Sequence, residues 1–378
     1  MDTHSEHIET VVIGGGQAGL AVGYHLARRG RRFVILNEQP RVGQQWRDNW
    51  DTLRLFTPAG YDGLPGMRFP AGRWTFPTKD QMADYLEAYV ARHDLPVRSG
   101  TRVERLSADG AGGYVVATSS GVLHADNVVV ATGTFGHTPY VPGIAGDLDP
   151  AICQLHSSEY RRPGQLQPGP TLVVGASHSG ADIAYEIAHE TPPGHPTVLS
   201  GHVEAEVPFR IEGRLAHLVI PVLFWAARHV LTLSTPLGRK LRPEIRAHGG
   251  PLLRVKKADL AAVGCEWVDS RTTGVSNGMP VLDDGRLVEV ANVVWCTGFR
   301  QDFGWIDLPV IAEDGWPEED RGVVTSSPGL YFSGLAFQSR FASMLVGGAG
   351  TDAEYVARQI AVRPRGLLHH RAPLREVS

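Results

Sequence analysis

Two copies of one short pattern constrain this chain more than anything else in it. The first runs Val11-Val12-Ile13-Gly14-Gly15-Gly16-Gln17-Ala18-Gly19. The second, about 160 residues later, runs Leu172-Val173-Val174-Gly175-Ala176-Ser177-His178-Ser179-Gly180. Each reads as a buried parallel strand, a glycine turn and the start of a helix. In such a turn the first glycine permits the tight bend, the second lets the backbone approach a pyrophosphate, and the third lets helix and strand pack closely. The pyrophosphate then rests on the helix N-terminus, where free N–H groups and the helix dipole favour negative charge. One such element is a weak signal. Two predict a pair of dinucleotides facing each other, the layout that passes a hydride from a nicotinamide to a flavin.

The rest of the chain bounds this reading. Its 378 residues allow two to three domains, on a soft prior of roughly 150 residues each. A net charge of −4 with 20% charged residues argues against a nucleic-acid surface. Cys153, Cys265 and Cys296 form no CxxC or CxxxxC pair, so a disulfide scaffold is not expected and a cytoplasmic setting is. No His/Cys/carboxylate spacing calls for a metal. The N-terminus has neither the basic nor the apolar region of a secretory signal. The most apolar stretch, Leu215 to Leu233, is interrupted by His217, Pro221, Arg228 and His229, and its uncharged run Leu218–Ala227 is too short to span a bilayer. It reads as a buried helix or helix pair, leaving room for a channel wall or a peripheral membrane contact.

Along the chain, Ile8–Ile13, a helix over Gln17–Arg29 and Phe33–Leu36 make a complete β-turn-α-β unit. Thr78 reads as the N-cap of a helix through about His93, stopped by Leu95-Pro96. Tyr114–Thr118 and Val122–His124 read as a hairpin, and Asn127–Ala131 as a further strand. The second unit comprises Thr171 onward, a helix over Ser179–Glu190 and Thr197–Ser200. Val290–Trp295, Leu330–Ser333 and a helix over Asp352–Ile360 complete the chain. Val128–Gly133 (VVVATG) and Val293–Gly298 (VVWCTG) are near copies that mark crossovers between an outer and an inserted domain. The expected fold is α/β, a FAD Rossmann-like domain (residues 1–140 and 297–378) with an inserted NADPH Rossmann-like domain (141–296).

Particular side chains follow. Asn37 stands where an acid usually binds the ribose, with Glu38 beside it; an amide oxygen can accept the same bond. In the second motif Ser177 replaces the middle glycine, narrowing the approach but offering a hydroxyl. The strand after it ends in Gly201-His202, and a cation there would select the 2′-phosphate of NADPH, with Arg210, Lys256 or Lys257 assisting. Gly43-Gln44-Gln45-Trp46 and Trp50 to Pro58 form a segment too aromatic for an ordinary surface loop, suited to packing around an isoalloxazine ring.

The chain resembles the class B flavin-dependent monooxygenases, nearest to the plant YUCCA-like enzymes and a bacterial group labelled as flavoproteins involved in K+ transport. The resemblance is carried by Asp51-Thr52-Leu53-Arg54-Leu55-Phe56-Thr57-Pro58, Leu64-Pro65-Gly66-Met67, Phe76-Pro77-Thr78-Lys79-Asp80, Tyr85-Leu86-Glu87-Ala88-Tyr89, Ala131-Thr132-Gly133 and Gly329-Leu330-Tyr331-Phe332-Ser333-Gly334. It implies FAD and NADPH as cofactors, O2 addition at flavin C4a and oxygen transfer from the resulting hydroperoxide to a small organic substrate. Gly14, Gly16, Gly19, Asn37, Glu38, Gln45, Trp46, Gly133 and Gly334 would hold FAD. Gly175, Ser177, Ser179, Gly180 and His202 would hold NADPH. Arg54 and Thr57 are the candidates for the flavin face, Gln338 and Arg340 for the substrate side.

Three departures from the family pattern stand out. Pro150 and Ile152 replace the Phe and Gly of the fingerprint that His156 and Tyr160 complete. Thr57-Pro58 stands where many members carry Asn. Leu335, not Asp, follows Gly334. The competing readings are an NADPH oxidase that releases peroxide and a regulatory, transport-associated flavoprotein. A dithiol reductase lacks its cysteine pair. A homodimer is the default assembly for such an enzyme.

Overall fold

The computed structural model describes residues 6–134, 138–190, 194–203, 205–247 and 250–363. The N-terminal strand β1 (Glu6–Ile13) is buried at six consecutive positions, from Ile8 to Ile13. A strand needs such an unbroken interior run when neighbours flank both edges and layers cover both faces. Its neighbours are β2 (Phe33–Leu36), joined through helix α1 (Gln17–Ala27), and β6 (Gly121–Val130), both parallel to it.

Helices α2 (Gln44–Arg47) and α3 (Lys79–His93) follow β2. The Thr78 hydroxyl accepts from the Gln81 N–H while the Gln81 side chain accepts from the Thr78 N–H, a reciprocal capping box. At the other end Asp94 turns left-handed before Leu95-Pro96. Strand β3 (Val97–Arg98) then extends the sheet beyond β2. An antiparallel meander, β4 (Val103–Ala108), β5 (Tyr114–Thr118) and β6, returns the chain to β1. The expected strands at Val122–His124 and Asn127–Ala131 are one strand here, β6, because its polar interruption at Asp126-Asn127 is buried and each side chain finds a partner, Asp126 Oδ1 at the His7 ring (3.1 Å). The Asn127 amide donates to the Glu9 carbonyl at 3.1 Å.

From β6 the chain crosses through β7 (Thr138–Pro139) to a second, five-stranded parallel sheet. It holds β8 (Cys153–His156), β9 (Thr171–Val174) and β10 (Thr197–Ser200), with α4 (His178–Glu190) between β9 and β10. Next come α5 (Ala216–His229), α6 (Pro236–Ala247) and α7 (Lys257–Ala262). Then β11 (Glu266–Val268), the hairpin β12 (Thr272–Ser276) and β13 (Met279–Leu282), and β14 (Asn292–Trp295) lead to β15 (Phe299–Arg300). The second sheet runs β11-β10-β9-β14-β8, and β15 pairs with β7, so the entry and exit of this unit lie side by side. Strands β16 (Ile306–Asp307) and β17 (Leu330–Phe332) rejoin the first sheet, against β4 and β6. Helix α8 (Ala349–Val362) closes the chain.

The apolar stretch that reads as a buried helix is only half buried. On α5, Ala216, Ile220 and Ala227 face inward, and on the same side Phe224 stacks on Tyr61 at 4.2 Å and His217 on Trp74 at 4.2 Å. Leu218 (73% exposed), Val222 (62%) and Trp225 (59%) form an open stripe with Leu215. The helix is apolar on every side, so composition alone could not tell its covered face from its open one.

Candidate active site: two matched glycine turns across a domain seam

The two turns are geometric copies. Gly14 has φ +116° and Gly175 φ +108°, and a Cβ at either would lie 2.4 Å from a carbonyl oxygen, of Ala131 and Cys296 respectively. Those carbonyls belong to the two near-identical strand exits. A Cβ at Gly19 or Gly180 would lie 1.9 or 1.7 Å from the Gly14 or Gly175 carbonyl oxygen. The Gly14 N–H donates to Leu36 and the Gly175 N–H to Ser200, both at 2.8 Å.

The first turn fits an FAD pyrophosphate. No side chain caps α1, so its first-turn N–H groups have no side-chain acceptor, and a Cβ at Gly16 would meet nothing within 4 Å. Gly334 packs against Ala18 in that first turn, where a Cβ would sit 2.5 Å from the Ala18 Cβ. The Ala336 N–H donates to the Thr134 hydroxyl at 2.6 Å, tying this loop to Gly133, whose open side also has nothing within 4 Å. Asn37 is buried; its amide N–H donates to Gln39 (3.0 Å) and Ser99 (3.4 Å), and its Oδ1 lies over Gly15, free to accept from a ribose. Glu38 and Gln45 are exposed, and Trp46 packs half-buried against the first core.

The second turn is more covered. Ser177 donates to the Gly250 carbonyl at 3.2 Å, and the His178 ring bonds the Pro251 carbonyl. Ser179 is half-buried in the first turn of α4. Of the cations expected to assist His202, Arg210 grips both oxygens of Asp259 at 2.7 Å, and the buried Lys256 ammonium donates to the Val207 and Phe209 carbonyls. Lys257 sits 3.8 Å from the centre of the Trp267 ring.

The aromatic segment forms the seam. Trp50 is buried among Tyr160, Val173, Ala181 and Ala184, residues of the second sheet's core, with Leu53 beside it. The Asp51 N–H donates to the Arg161 carbonyl at 2.8 Å. Tyr160 donates to Glu186 at 3.2 Å, and burial raises the Glu186 carboxyl to about 7. The Ser158 N–H donates to His156 Nδ1, so Nε2 carries the proton and donates to the Gly298 carbonyl at 3.1 Å. The fingerprint's His and Tyr thus hold the crossover and the seam, and Ile152, in its Gly position, is core.

Arg54 and Thr57 face different surroundings. Arg54 is exposed, donates to the Phe76 carbonyl at 3.3 Å and lines a cleft with Phe56, His178, Asp182 and Arg254. Thr57 is buried and donates to Asp62 at 2.5 Å. Gln338 is fully buried, accepting from the Leu335 N–H and donating to the Phe332 carbonyl, while Arg340 donates to Ser339 and to the Arg228 carbonyl. Both fasten turns.

Asp62 was not legible in the sequence. It is 1% exposed, its Oδ2 has no hydrogen-bond partner, and burial raises its carboxyl from 3.8 to about 7. The native state therefore holds a proton that the unfolded chain releases near 3.8. This contribution to stability is complete below that value and is lost as pH rises through about 7. In urea titrations, wild type should lose about 1–3 kcal/mol more than Asp62→Asn between pH 5 and pH 8.5. Equal slopes would contradict the assignment.

Two matched turns on parallel strand pairs, joined by a paired crossover, define a flavoprotein oxidoreductase of the two-dinucleotide-domain class. Residues 11–194 match the family described as pyridine nucleotide-disulphide oxidoreductase. An uncharacterized CzcO-like oxidoreductase of Geobacillus kaustophilus is 38% identical, over 93% of this chain and 98% of that one. The probable indole-3-pyruvate monooxygenase YUCCA3 of Arabidopsis thaliana is 28% identical, over 93% and 86%. Among solved structures, a flavin-containing monooxygenase from Stenotrophomonas maltophilia is 28% identical, with a TM-score of 0.70 over 94% of this chain and 98% of that one. The chain belongs to the CzcO-like oxidoreductases, within the class B flavin-dependent monooxygenases.

Proposed function

We propose that this protein is an NADPH-dependent FAD monooxygenase that uses O2 to oxygenate a small organic substrate. The observation that carries the reading is the duplicated turn geometry, with one turn on each side of a seam sealed by Trp50. Bound FAD supplies hydride acceptance from the nicotinamide and reaction with O2; the protein's part is to bind, orient and exclude water. Gly14, Gly16, Gly19, Asn37, Gly133 and Gly334 hold FAD, bordered by Glu38, Gln45 and Trp46. Gly175, Ser177, Ser179, Gly180 and His202 hold the nicotinamide coenzyme. Arg54 lies on the cleft side of the aromatic segment and Thr57 anchors its inner side. The FAD domain is taken as residues 1–140 and 297–378, and the coenzyme domain as 141–296.

A dithiol route finds no support, despite the family description. Cys153, Cys265 and Cys296 are unpaired, and burial raises the Cys265 thiol to about 12 and the Cys296 thiol further. The open apolar stripe of α5 supports a peripheral contact with a membrane surface.

The purified protein should be yellow and should be bleached by NADPH without air. On admitting O2, colour should return through a species absorbing between the reduced and oxidised forms. Immediate stoichiometric H2O2 would make it an oxidase, the reading that Thr57-Pro58 in place of Asn favours. Absence of bleaching would remove the enzyme reading.

A further inference from the structure

We infer that the adenosine-ribose end of the second dinucleotide site, built from Asp269, His202 and Asp283, admits NADH alongside NADPH, an inference resting on the function proposed above. The two halves of the molecule supply the frame. In the first sheet Leu36 of β2 pairs with Arg98 of β3, and the next residues on each strand, Asn37 and Ser99, form the ribose side of the FAD turn. In the second sheet Ser200 of β10 pairs with Val268 of β11, and the next residues are Gly201 and Asp269. Gly201 presents no side chain, and none fits: a Cβ there would lie 2.9 Å from the Ala176 nitrogen. The acceptor at this position therefore comes from the neighbouring strand, as the carboxylate of Asp269.

His202 does not stand here as an independent cation. Its Nδ1 is 2.7 Å from Asp269 and its Nε2 is 4.0 Å from Asp283. The Ser270 hydroxyl and the Arg271 N–H bond Asp283 and hold its carboxyl below the ordinary range, so it is ionised at neutral pH. Asp269 and Asp283 thus flank the imidazole with two carboxylates. Against them stand Arg271, beside Asp283, and Lys257, over Trp267, whose indole N–H donates to the Gly201 carbonyl at 3.0 Å. Arg210 and Lys256 are committed elsewhere. A carboxylate accepts hydrogen bonds from the ribose hydroxyls of NADH and repels the 2′-phosphate of NADPH. The two remaining cations keep NADPH from being excluded.

The test measures flavin reduction and, separately, ligand binding. Reduction of the yellow protein by NADH should have a kcat/KM within about tenfold of that with NADPH, because the charges at this subsite are solvent-exposed and such contacts each change affinity by less than about tenfold. Calorimetry with 5′-AMP and 2′,5′-ADP reads the same subsite without turnover. Asp269→Asn, at a side chain 61% exposed and clear of the core, should weaken 5′-AMP and tighten 2′,5′-ADP, each by about fivefold or more. A wild-type preference for NADPH beyond about tenfold, or an Asp269→Asn variant with both nucleotide affinities unchanged, would overturn the inference. If neither coenzyme reduced the flavin, the proposed function would fall, while the calorimetry would still decide which nucleotide the subsite accepts.

Discussion

Gly16→Val should give a folded protein that purifies without its yellow colour. Gly16 has ordinary backbone angles, with φ −83°, and a Cβ there meets no protein atom within 4 Å. The space it would enter lies over the uncapped N-terminus of α1, which the proposed function assigns to the FAD pyrophosphate. A branched side chain there blocks at least two N–H contacts to phosphate, each worth about 1.5–3 kcal/mol as a bond to a charged group. At about 1.4 kcal/mol per decade, FAD affinity should fall by at least about a hundredfold. Circular dichroism and flavin content measured on one preparation check both halves of the expectation. Gly19→Val is the contrasting variant. Its first added carbon would lie 1.9 Å from the Gly14 carbonyl oxygen, an overpacking that costs about 1–3 kcal/mol or more, so it should lose stability as well as colour. A yellow Gly16→Val protein would displace FAD from this turn.

Trp50→Ala should be the most destabilising of the single changes considered. The indole leaves the aromatic segment and enters the core of the second sheet, where it is 6% exposed among Tyr160, Val173, Ala181 and Ala184. Its Nε1 has no hydrogen-bond partner, so packing alone holds it. Truncating a buried Trp costs about 3–5 kcal/mol, and for domains of this size that lowers Tm by roughly 6–20 °C. Because Trp50 joins the two halves, calorimetry should show two resolved transitions in place of one. Bleaching by NADPH should slow by about tenfold or more as the two turns lose their fixed relation. Trp50→Phe should recover most of the stability. An unchanged Tm in Trp50→Ala would mean that the seam is held by the Asp51–Arg161 and Tyr160–Glu186 contacts instead.

The features legible in the sequence are those whose signal is local. The glycine turns are dictated by backbone geometry, so Gly14, Gly19, Gly175 and Gly180 could be assigned from spacing alone, and the repeated Thr-Gly exits announced the duplication. Thr78 and Gln81 declared the start of α3, because a capping box is a contact across three residues. Tertiary structure decided everything that depends on distant partners. Asp62 reads as an ordinary loop acid until burial deprives one oxygen of any partner. Trp50 reads as an aromatic beside a flavin loop until it is seen in the other domain's core. Residues 215–233 read as interior, because hydrophobicity measures what a helix tolerates and not what covers it; the fold leaves Leu218 and Trp225 open. His202 reads as a cation for a phosphate until Asp269, 67 residues away in sequence, is brought to 2.7 Å. The sequence by itself determined that the chain builds two strand–turn–helix frames of the dinucleotide-binding kind, because strand, turn and helix lie within one short segment. Only the tertiary structure decided the charge each dinucleotide meets, because that charge is summed over strands the chain connects late.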